Sequence, residues 1–466
     1  YVSRHMWQEG WKGVPKAEIP IRYVTNGVHV PSYTGAPMRA LLDNVLGPGW
    51  QEQSPDSSIW SKIDEIPDEG LWAVRQLQKK QLLDYLRASL PEFFKKFAIP
   101  YEKQKEMAAC LTPSSLVIGF ARRFAPYKRA TLLFADLDRL ARIVGNAERP
   151  VIFVFSGKAH PADTQGIDML QEVIRHMLDP LFIEDYNLAV SRLMVQGCDV
   201  WLNTPRRPYE ACGTSGQKVP VNAGVNLSIS DGWWCEGYNG ENGWTIGPAV
   251  TREYLCGEQS DYDDAGFLYA LLEEKIVPLY FERNFEGMPH DWLLTVRQSM
   301  QSLIARFSSN RMVREYLNDY YIPAAQRYAE LRDKHNALTK RLARWKQDVN
   351  ARFSSLRIEQ IRIEGLKGEE LMGTQPMQVQ IGVLPGGMKP EELLVQLVAG
   401  PGDGNGFTDT PDVVDMARTE ESTADRLVYA CAYSPSRSGP HVYGVRVLPV
   451  TPGLASPLET RLVLWG

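Results

Sequence analysis

The alternation of apolar and polar positions changes character several times along this chain. Between residues 115 and 230, short and mostly apolar runs recur at residues 116–121, 151–155, 200–202 and 225–229. Runs of this length and continuity are typical of strands that are buried on both faces of a parallel sheet. Stretches with helical spacing separate them, at residues 127–144, 165–177 and 188–195. The pattern therefore predicts an α/β fold with a doubly wound, mostly parallel sheet.

The segments on either side of this region follow other patterns. Residues 1–60 are rich in Gly, Pro and Trp without a sustained period, apart from a short strand predicted at 22–24. Helical spacing begins at residue 67, and it returns over 265–352, where the last helix is predicted from 324 to 353. Val-rich alternation broken by Gly and Pro then predicts an all-β, sandwich-like domain. The predicted divisions are a loop and helical connector at 1–112, the α/β domain at 113–310, long helices at 311–354 and the β domain at 355–466.

Composition narrows the class of protein. A chain of 466 residues is long enough for about three domains. Its net charge of −5 argues against a nucleic-acid partner, and no apolar run reaches the length of a membrane span. The six cysteines are dispersed, without a C-x-x-C pair or the Cys/His spacing of a metal site. We therefore expect reduced thiols, a cytoplasmic location and no bound metal. Since the chain begins without Met or a signal-peptide pattern, we also expect that it starts midway through a longer protein.

Basic residues follow three of the predicted strands. Residues 122–129 (RRFAPYKR) follow the first strand, Lys158 follows the second, and Arg206 and Arg207 follow the third. In a parallel sheet the carboxyl ends of the strands meet at one edge, where ligands bind. Convergent Arg and Lys side chains suit a ligand with several phosphate oxygens. The alternative is that these residues form solvated helix faces.

A glycine-rich turn ending in lysine, residues 210–218 (EACGTSGQK), follows the third cluster. Two glycines and two hydroxyl residues allow backbone N–H groups to approach an anion, and a helix starting here would add its dipole. Lys218 could contact a phosphate or form an imine, and it could equally be a solvated surface lysine. Glu210 is suited either to sugar hydroxyls or to capping a helix.

Two segments after the last predicted strand, residues 231–234 (DGWW) and 240–244 (GENGW), mix aromatic and polar side chains. That mixture is common in carbohydrate sites, and it is equally compatible with an aromatic core patch. The histidine of residues 25–31 (TNGVHVP) is either a polar contact or a structural residue. No Walker loop is present, and no G-x-G-x-x-G follows the first strand, so nucleotide binding has little support.

Taken together, these motifs resemble those of the α-glucan phosphorylases, which include the glycogen, starch and maltodextrin phosphorylases. The resemblance is strongest to the bacterial subgroup with a C-terminal extension. The family fold consists of two Rossmann-like domains that face each other across a cleft, a B-type glycosyltransferase fold. The chain is similar to the second half of such a protein followed by the extension, so the N-terminal domain is expected to be a missing partner. The motifs that carry the resemblance are residues 25–31, 122–129, 156–161 (SGKAHP), 203–208 (NTPRRP), 210–218 and 231–234.

The resemblance implies that pyridoxal 5'-phosphate is the cofactor, held by an imine to Lys218. Gly213 and Thr214 would contact its phosphate, with Arg122 nearby, and Tyr186 would also line the cofactor site. In this family the phosphate of the cofactor, rather than its ring, takes part in the reaction. A phosphate monoester with a second pKa of about 6 is well suited to passing a proton near neutral pH.

The resemblance also implies the reaction and its remaining residues. The enzyme would transfer the terminal glucose of an α-glucan to inorganic phosphate, giving glucose 1-phosphate with retention at the anomeric carbon. Arg123 and Lys128 would bind the substrate phosphate, Lys128 also reaching toward the cofactor phosphate. Asn26, Glu210 and Gly213 would contact the glucosyl unit. Together with Lys218, the two phosphate-binding residues form the expected catalytic set, and a homodimer is left open.

The chain departs from the family pattern at three positions. Gln217 stands where Met is usual, Tyr33 where Trp is common, and Cys235 where the subgroup often has an acidic residue. Without the N-terminal half, we expect the chain alone to have little or no phosphorolysis. Two alternatives stay open. One is a glucan synthase of the same architecture that uses a nucleotide-activated sugar, and the other is a non-catalytic protein that binds glucan through its β domain.

Overall fold

The computed structural model of the chain describes residues 2–96, 98–176, 181–183, 186–248, 261–367, 370–371, 376–403, 406–408 and 410–466. It forms two compact units, residues 24–318 and residues 1–23 with 319–466. The divisions expected at residues 113, 311 and 355 stay predictions. The described helices are α1 Val2–Met6, α2 Val30–Tyr33, α3 Ala36–Leu46, α4 Trp50–Gln53, α5 Asp68–Lys96, α6 Tyr101–Cys110, α7 Leu137–Val144, α8 Thr164–Arg175, α9 Leu188–Gly197, α10 Trp234–Gly237, α11 Asp261–Leu271, α12 Val277–Phe281, α13 His290–Leu303, α14 Ser309–Tyr316 and α15 Ile322–Arg352.

A parallel sheet forms the centre of the larger unit. Its described strands are β1 Leu116–Ala121, β2 Val151–Ser156, β3 Leu181–Ile183, β4 Val200–Asn203, β5 Val225–Ile229 and β6 Gly243–Ile246. They lie in the order β3-β2-β1-β4-β5-β6, and every pairing is parallel. Every residue of β1, β2, β4 and β5 is buried, which explains their mostly apolar sequences. The predicted doubly wound α/β fold is therefore confirmed.

The strand order places a switch point between β1 and β4. From β1 the chain continues to β2 on one side, whereas β4 is followed by β5 on the other. The connections therefore leave the sheet in opposite directions, which opens a crevice at the carboxyl ends of these two strands. Arg122 follows β1 and residues 204–216 follow β4, so both segments begin at this crevice.

A buried charge network fixes α5 to this sheet. The carboxylate of Asp199, directly before β4, accepts from Nε of Arg75 at 3.1 Å and lies 2.8 Å from Nζ of Lys79. It also accepts from the backbone N–H of Val117 in β1 at 2.9 Å. All three charged side chains are at most 1% exposed. Because each charge has a partner, the network can exist inside the apolar core.

Several predicted elements differ from the structure. The helix expected over 127–144 is broken into two 3-10 turns, Pro126–Lys128 and Ala130–Phe134, followed by α7. Arg129 takes a left-handed φ of 45° between the two turns, which a continuous helix does not allow. The strand expected at 22–24 is absent, and the chain there is extended without strand pairing. The long last helix is interrupted at residues 333–336, whose backbone is not helical.

The smaller unit contains two antiparallel sheets. Its described strands are β7 Arg357–Glu364, β8 Leu366–Lys367, β9 Glu370–Leu371, β10 Met377–Leu384, β11 Leu393–Asp403, β12 Gly406–Phe407, β13 Asp412–Asp415, β14 Ala417–Arg418, β15 Leu427–Tyr433, β16 His441–Pro449 and β17 Leu464–Trp465. One sheet has the order β14-β15-β10-β7, and the other has β12-β11-β16-β17 with β13 also on β11. Side chains such as Val379, Leu397 and Val447 from both sheets share one core. This is the sandwich-like domain that the alternation after residue 353 predicts.

Residues 1–23 belong to the same unit as this domain. Val14 and Ile19 pack with Leu448 and Leu458 in a small apolar cluster. The backbone carbonyl of Gly13 accepts a hydrogen bond of 2.5 Å from Nε1 of Trp465. The segment therefore completes a core that residues 319–466 alone would leave partly uncovered. None of the described helices combines the length and the apolar character that crossing a membrane requires.

Candidate active site

Three charged side chains meet at the switch point of the parallel sheet. Nη2 of Arg122, which follows β1, donates to Oε2 of Glu210, which lies in the loop after β4. Nζ of Lys128 lies 4.0 Å from the same oxygen. The side chains of Arg122 and Glu210 are 3% and 10% exposed, so the pair is almost completely shielded from solvent. One carboxylate therefore balances two cations in a buried corner of the crevice.

The cationic corner keeps unused hydrogen-bonding capacity. Nη1 of Arg122 is buried and has no hydrogen-bond partner in the described part of the chain. A small cavity beside it is lined by, among others, Asn203, Glu210, Gly213 and Asp231. A buried guanidinium N–H without an acceptor is costly unless a ligand or water occupies the space that it faces. The corner is thus suited to an anionic oxygen, such as one from phosphate.

Residues 210–218 form a tight turn that contains no α-helix. A 3-10 turn, Gly216–Lys218, is followed by another, Pro220–Asn222. The helix dipole that the sequence suggested is therefore absent, and the turn can offer an anion only its backbone N–H groups. Gly213 has a φ of 84°, which favours glycine. At Gly216 a Cβ would lie 2.4 Å from Oδ1 of Asn226, so the turn packs too closely for any side chain.

The lysine of this turn lies against aromatic rings. Nζ of Lys218 is 4.4 Å from the centre of the Tyr33 ring. Tyr186 packs against the same apolar cluster as Tyr33, and its hydroxyl lies 3.1 Å from Oγ of Ser191. Burial raises the pKa of the Tyr186 hydroxyl, so it stays protonated at neutral pH. Lys218 is half-buried. Thr214 is half-buried in the same turn.

The loop of residues 24–31 is tied to this turn through its backbone. Nε2 of Gln217 donates to the carbonyl of Asn26 at 3.1 Å, and Arg311 donates to the carbonyl of Thr25 at 2.8 Å. A Cβ on Gly27 would lie 2.2 Å from the carbonyl oxygen of Ser308, so the loop passes close to its neighbour. The side chain of Asn26 is exposed. The structure therefore brings Asn26 next to the lysine turn.

Arg123 lies outside the buried group. Its side chain is exposed and hydrogen-bonds to Tyr127, which burial and the nearby Glu210 give a raised pKa. The structure thus gathers Arg122, Lys128, Glu210 and Gly213, and it leaves Arg123 at the rim beside Tyr127.

The cations at the other strand exits do not all converge on this site, contrary to expectation. Nη2 of Arg206 lies 2.6 Å from Asp261 at the start of α11. Arg129 also pairs with Asp261, at 2.9 Å, and with Asp264 at 2.7 Å. Arg207 lies 3.7 Å from Asp264. These arginines therefore hold α11 in place, while the side chain of Lys158 is exposed.

Two titratable groups in the site have shifted pKa values. Burial and the nearby charge of Arg122 lower the pKa of Lys128 to about 8, although Glu210 acts in the opposite direction. Burial raises the pKa of Asp231 to about 6, although hydrogen bonds from the backbone N–H groups of Glu210 and Gly232 favour its charged form. Shifts of this kind, in a crevice lined by partnered charges, are typical of functional sites.

Sequence reasoning did not select some residues that the structure places in the site. Asp231 accepts from the backbone N–H of Glu210 at 2.9 Å, Gln217 ties the two loops, and Asn203 lines the cavity. Asp231 and Asn203 lie at the carboxyl ends of β5 and β4. Because ligands bind at the carboxyl ends of parallel strands, this position in the sequence could have identified both residues. No group of His, Cys, Asp and Glu in the described residues has the arrangement of a metal site.

Comparisons with known proteins show which family the chain is similar to. Residues 354–466 match the family described as the glycogen phosphorylase C-terminal domain. The maltodextrin phosphorylase of Thermococcus litoralis is 34% identical over 473 aligned residues, which cover 100% of this chain and 54% of that protein. The glycogen phosphorylase of Mycobacterium tuberculosis (strain H37Rv) is 35% identical over 99% of the chain and 54% of its own length.

A third relative has higher identity over a shorter stretch. The glycogen phosphorylase of Aquifex aeolicus is 40% identical over 69% of this chain and 46% of its own length. The chain thus spans about half the length of the curated relatives that it matches. Over its whole length the chain is therefore similar to part of an α-glucan phosphorylase, and residues 354–466 match the C-terminal domain of that family.

Proposed function

We propose that this chain is part of an α-1,4-glucan phosphorylase, which moves the terminal glucose of an α-glucan to inorganic phosphate and yields glucose 1-phosphate. The observation that carries the proposal is the group formed by Arg122, Lys128 and Glu210, in which a guanidinium N–H lies buried without an acceptor. A phosphate oxygen would satisfy that N–H. The relatives' names give the substrates and products of the proposal.

Pyridoxal 5'-phosphate is the cofactor in this proposal, and the residues present fit it. Lys218 would hold it covalently, with its amine 4.4 Å from the centre of the Tyr33 ring. The backbone N–H groups around Gly213 and Thr214, with Arg122, would hold its phosphate. Tyr186 would add to the wall near its ring. When bound, the cofactor would supply through its phosphate a proton for the substrate phosphate.

The other residues would position the substrates. Lys128 and Arg123 would hold inorganic phosphate, one from within the crevice and the other from its rim. Two dianions share a site only when cations surround them, so the pairing of Lys128 with Glu210 is expected to loosen when phosphate enters. Glu210 would then accept hydrogen bonds from sugar hydroxyls, together with Asn26 and the backbone of Gly213.

The whole enzyme includes more than this chain in our proposal. Since the chain spans about half the length of its relatives, an N-terminal domain would form the other wall of the cleft and most of the glucan site. Turnover by this chain alone is therefore expected to be low. A cytoplasmic location and a homodimer stay predictions.

Borohydride reduction tests the cofactor assignment directly. The chain is incubated with pyridoxal phosphate, reduced, digested and mapped by mass spectrometry. We expect one pyridoxyl group on Lys218, and none on that peptide in Lys218→Arg. The matched control is Lys158→Arg, an exposed lysine at the neighbouring strand exit, which should keep the adduct. Labelling scattered over surface lysines would contradict the proposal and favour the nucleotide-sugar synthase.

A further inference from the structure

The carboxyl group of Asp231 lies in the site, and the proposed reaction gives it no role. Asp231 follows β5 and is 4% exposed. Its Oδ2 accepts from the backbone N–H of Glu210 at 2.9 Å, and its Oδ1 accepts from the N–H of Gly232 at 2.8 Å. Both oxygens are therefore engaged, and one of them holds the residue that balances the cationic corner.

The segment of residues 231–233 contacts the turn of residues 210–218 through its backbone. The backbone N–H of Trp233 donates to the carbonyl of Cys212 at 2.9 Å. A Cβ on Gly232 would lie 2.5 Å from the same carbonyl oxygen, so the two segments touch at their backbones. The Trp233 ring lies where a Cβ on Gly213 would meet it at 3.5 Å. Asp231 and the two residues after it thus restrict the movement of this turn.

The position of Glu210 decides the charge balance of the corner. Its carboxylate is an anionic neighbour of both Arg122 and Lys128. If the acceptor on Asp231 were lost, the backbone N–H of Glu210 would be left without its partner in a partly buried place, which is unfavourable. The turn would relieve this cost by shifting, and the Glu210 carboxylate would shift with it.

We propose that Asp231 is a positioning residue that holds Glu210 against Arg122 and Lys128. The proposal rests on the proposed function for the assignment of Glu210 to sugar hydroxyls, and it deepens that function. By fixing one carboxylate in the corner, Asp231 determines which part of the crevice accepts sugar hydroxyls and which part remains cationic for phosphate.

The pKa of Lys128 provides a readout that requires neither cofactor nor turnover. Lysines of the full chain are reductively methylated with carbon-13 formaldehyde, and the Lys128 signal is assigned from its absence in Lys128→Arg. Because Glu210 raises this pKa, we expect Asp231→Ala to lower it by about half a pH unit or more. Asp231→Asn keeps one acceptor oxygen and should have a smaller effect, and it replaces the alanine variant if that fails to fold.

A double-mutant cycle separates positioning from a direct charge effect. If Asp231 acts through Glu210, the Asp231 substitutions should barely change the Lys128 pKa in the Glu210→Gln background. An equal fall in both backgrounds, or no fall in either, would overturn the proposal. Asp136→Ala is the matched control for Asp231→Ala, since it removes a similar hydrogen bond, the one of 2.9 Å from the backbone N–H of Arg139 to Oδ1 of Asp136 at the start of α7. It should leave the Lys128 pKa unchanged.

Failure of the proposed function would be seen separately. Portions of the same proteins that have not been methylated are tested for the pyridoxyl adduct on Lys218. Absence of the adduct in the unmodified chain would contradict the cofactor assignment and leave the result of the cycle standing. A normal adduct with an additive cycle would contradict only the role of Asp231.

Discussion

At the scale of single residues, Lys128 shows how burial changes the pKa of a side chain. Its side chain is 14% exposed and lies near the cation of Arg122 and the anion of Glu210. Burial and the like charge together lower its pKa to about 8. Lys128 is therefore charged at neutral pH but loses its proton within a range that experiments can reach.

Anion binding should follow this titration. Sulfate is a suitable probe, since its charge is constant above pH 4 or so. We expect sulfate affinity to be highest below pH 8 and to fall about fivefold as the pH rises through the pKa of Lys128, because the neutral amine no longer attracts the anion. Calorimetric titration at several pH values between 6.5 and 9.5 measures the effect.

Lys128→Arg is the matched variant, because an arginine remains charged over this whole range. Its sulfate affinity should be nearly constant with pH. Parallel curves for the two proteins would show that another group controls anion binding.

Residue types at the site could be predicted from the sequence, whereas their pairings could not. The segments that carry Arg122, Lys128 and Glu210 all follow predicted strands. Because the carboxyl ends of parallel strands meet at one edge of the sheet, these residues could be expected to lie close together. The pairing of Arg206 with Asp261 joins residues 55 apart in the chain. No local pattern marks such a contact, and so the sequence could not distinguish a phosphate-binding arginine from one that anchors a helix.

At the scale of elements, burial determined which strands could be recognised. β1, β2, β4 and β5 are buried along their whole length and have mostly apolar sequences. β3 and β6 lie at the two edges of the sheet. β3 has three residues, and β6 includes partly exposed positions, so neither has the continuous apolar signal of the inner strands.

Helix α5 provides a second test at this scale, because two adjacent lysines have opposite environments. Lys79 is fully buried and pairs with Asp199, whereas Lys80 is 58% exposed and pairs with Asp84. Lys79→Met should lower the free energy of unfolding by about 3 kcal/mol, since it leaves a buried charge network incomplete. Lys80→Met should change it by less than about 0.5 kcal/mol.

Denaturant unfolding of the two variants, followed by helical circular dichroism, makes the comparison. Equal midpoints would mean that Asp199 and Arg75 rearrange without cost. Both variants replace Lys with Met at adjacent positions of the same helix, so the change in helix propensity is the same in both and does not contribute to the difference between them.

At the scale of the whole molecule, the two compact units should respond to separate changes. Ile19 is 1% exposed in the smaller unit, and Ile304 is 3% exposed in the larger one. Truncation of a buried Ile to Ala costs about 2–5 kcal/mol. We expect Ile19→Ala to lower the melting temperature of one calorimetric transition and Ile304→Ala that of the other.

Each variant is the control for its counterpart, because the chemical change is identical. A single transition that shifts equally in both variants would show that the units unfold together. The sequence gives no sign that residues 1–23 belong to the smaller unit, because the contacts between Ile19 and Leu448 join distant parts of the chain.

The grouping of residues 1–23 with residues 319–466 also has a consequence for synthesis. Residues 24–318 form a contiguous unit, so all of its contacts are available once residue 318 has left the ribosome. Val14 and Ile19 emerge before that unit but must wait for Leu448 and Leu458 before they can be covered. During translation the nascent chain therefore carries an apolar segment that remains exposed until residue 458 has been added, and this segment is where a chaperone would be needed.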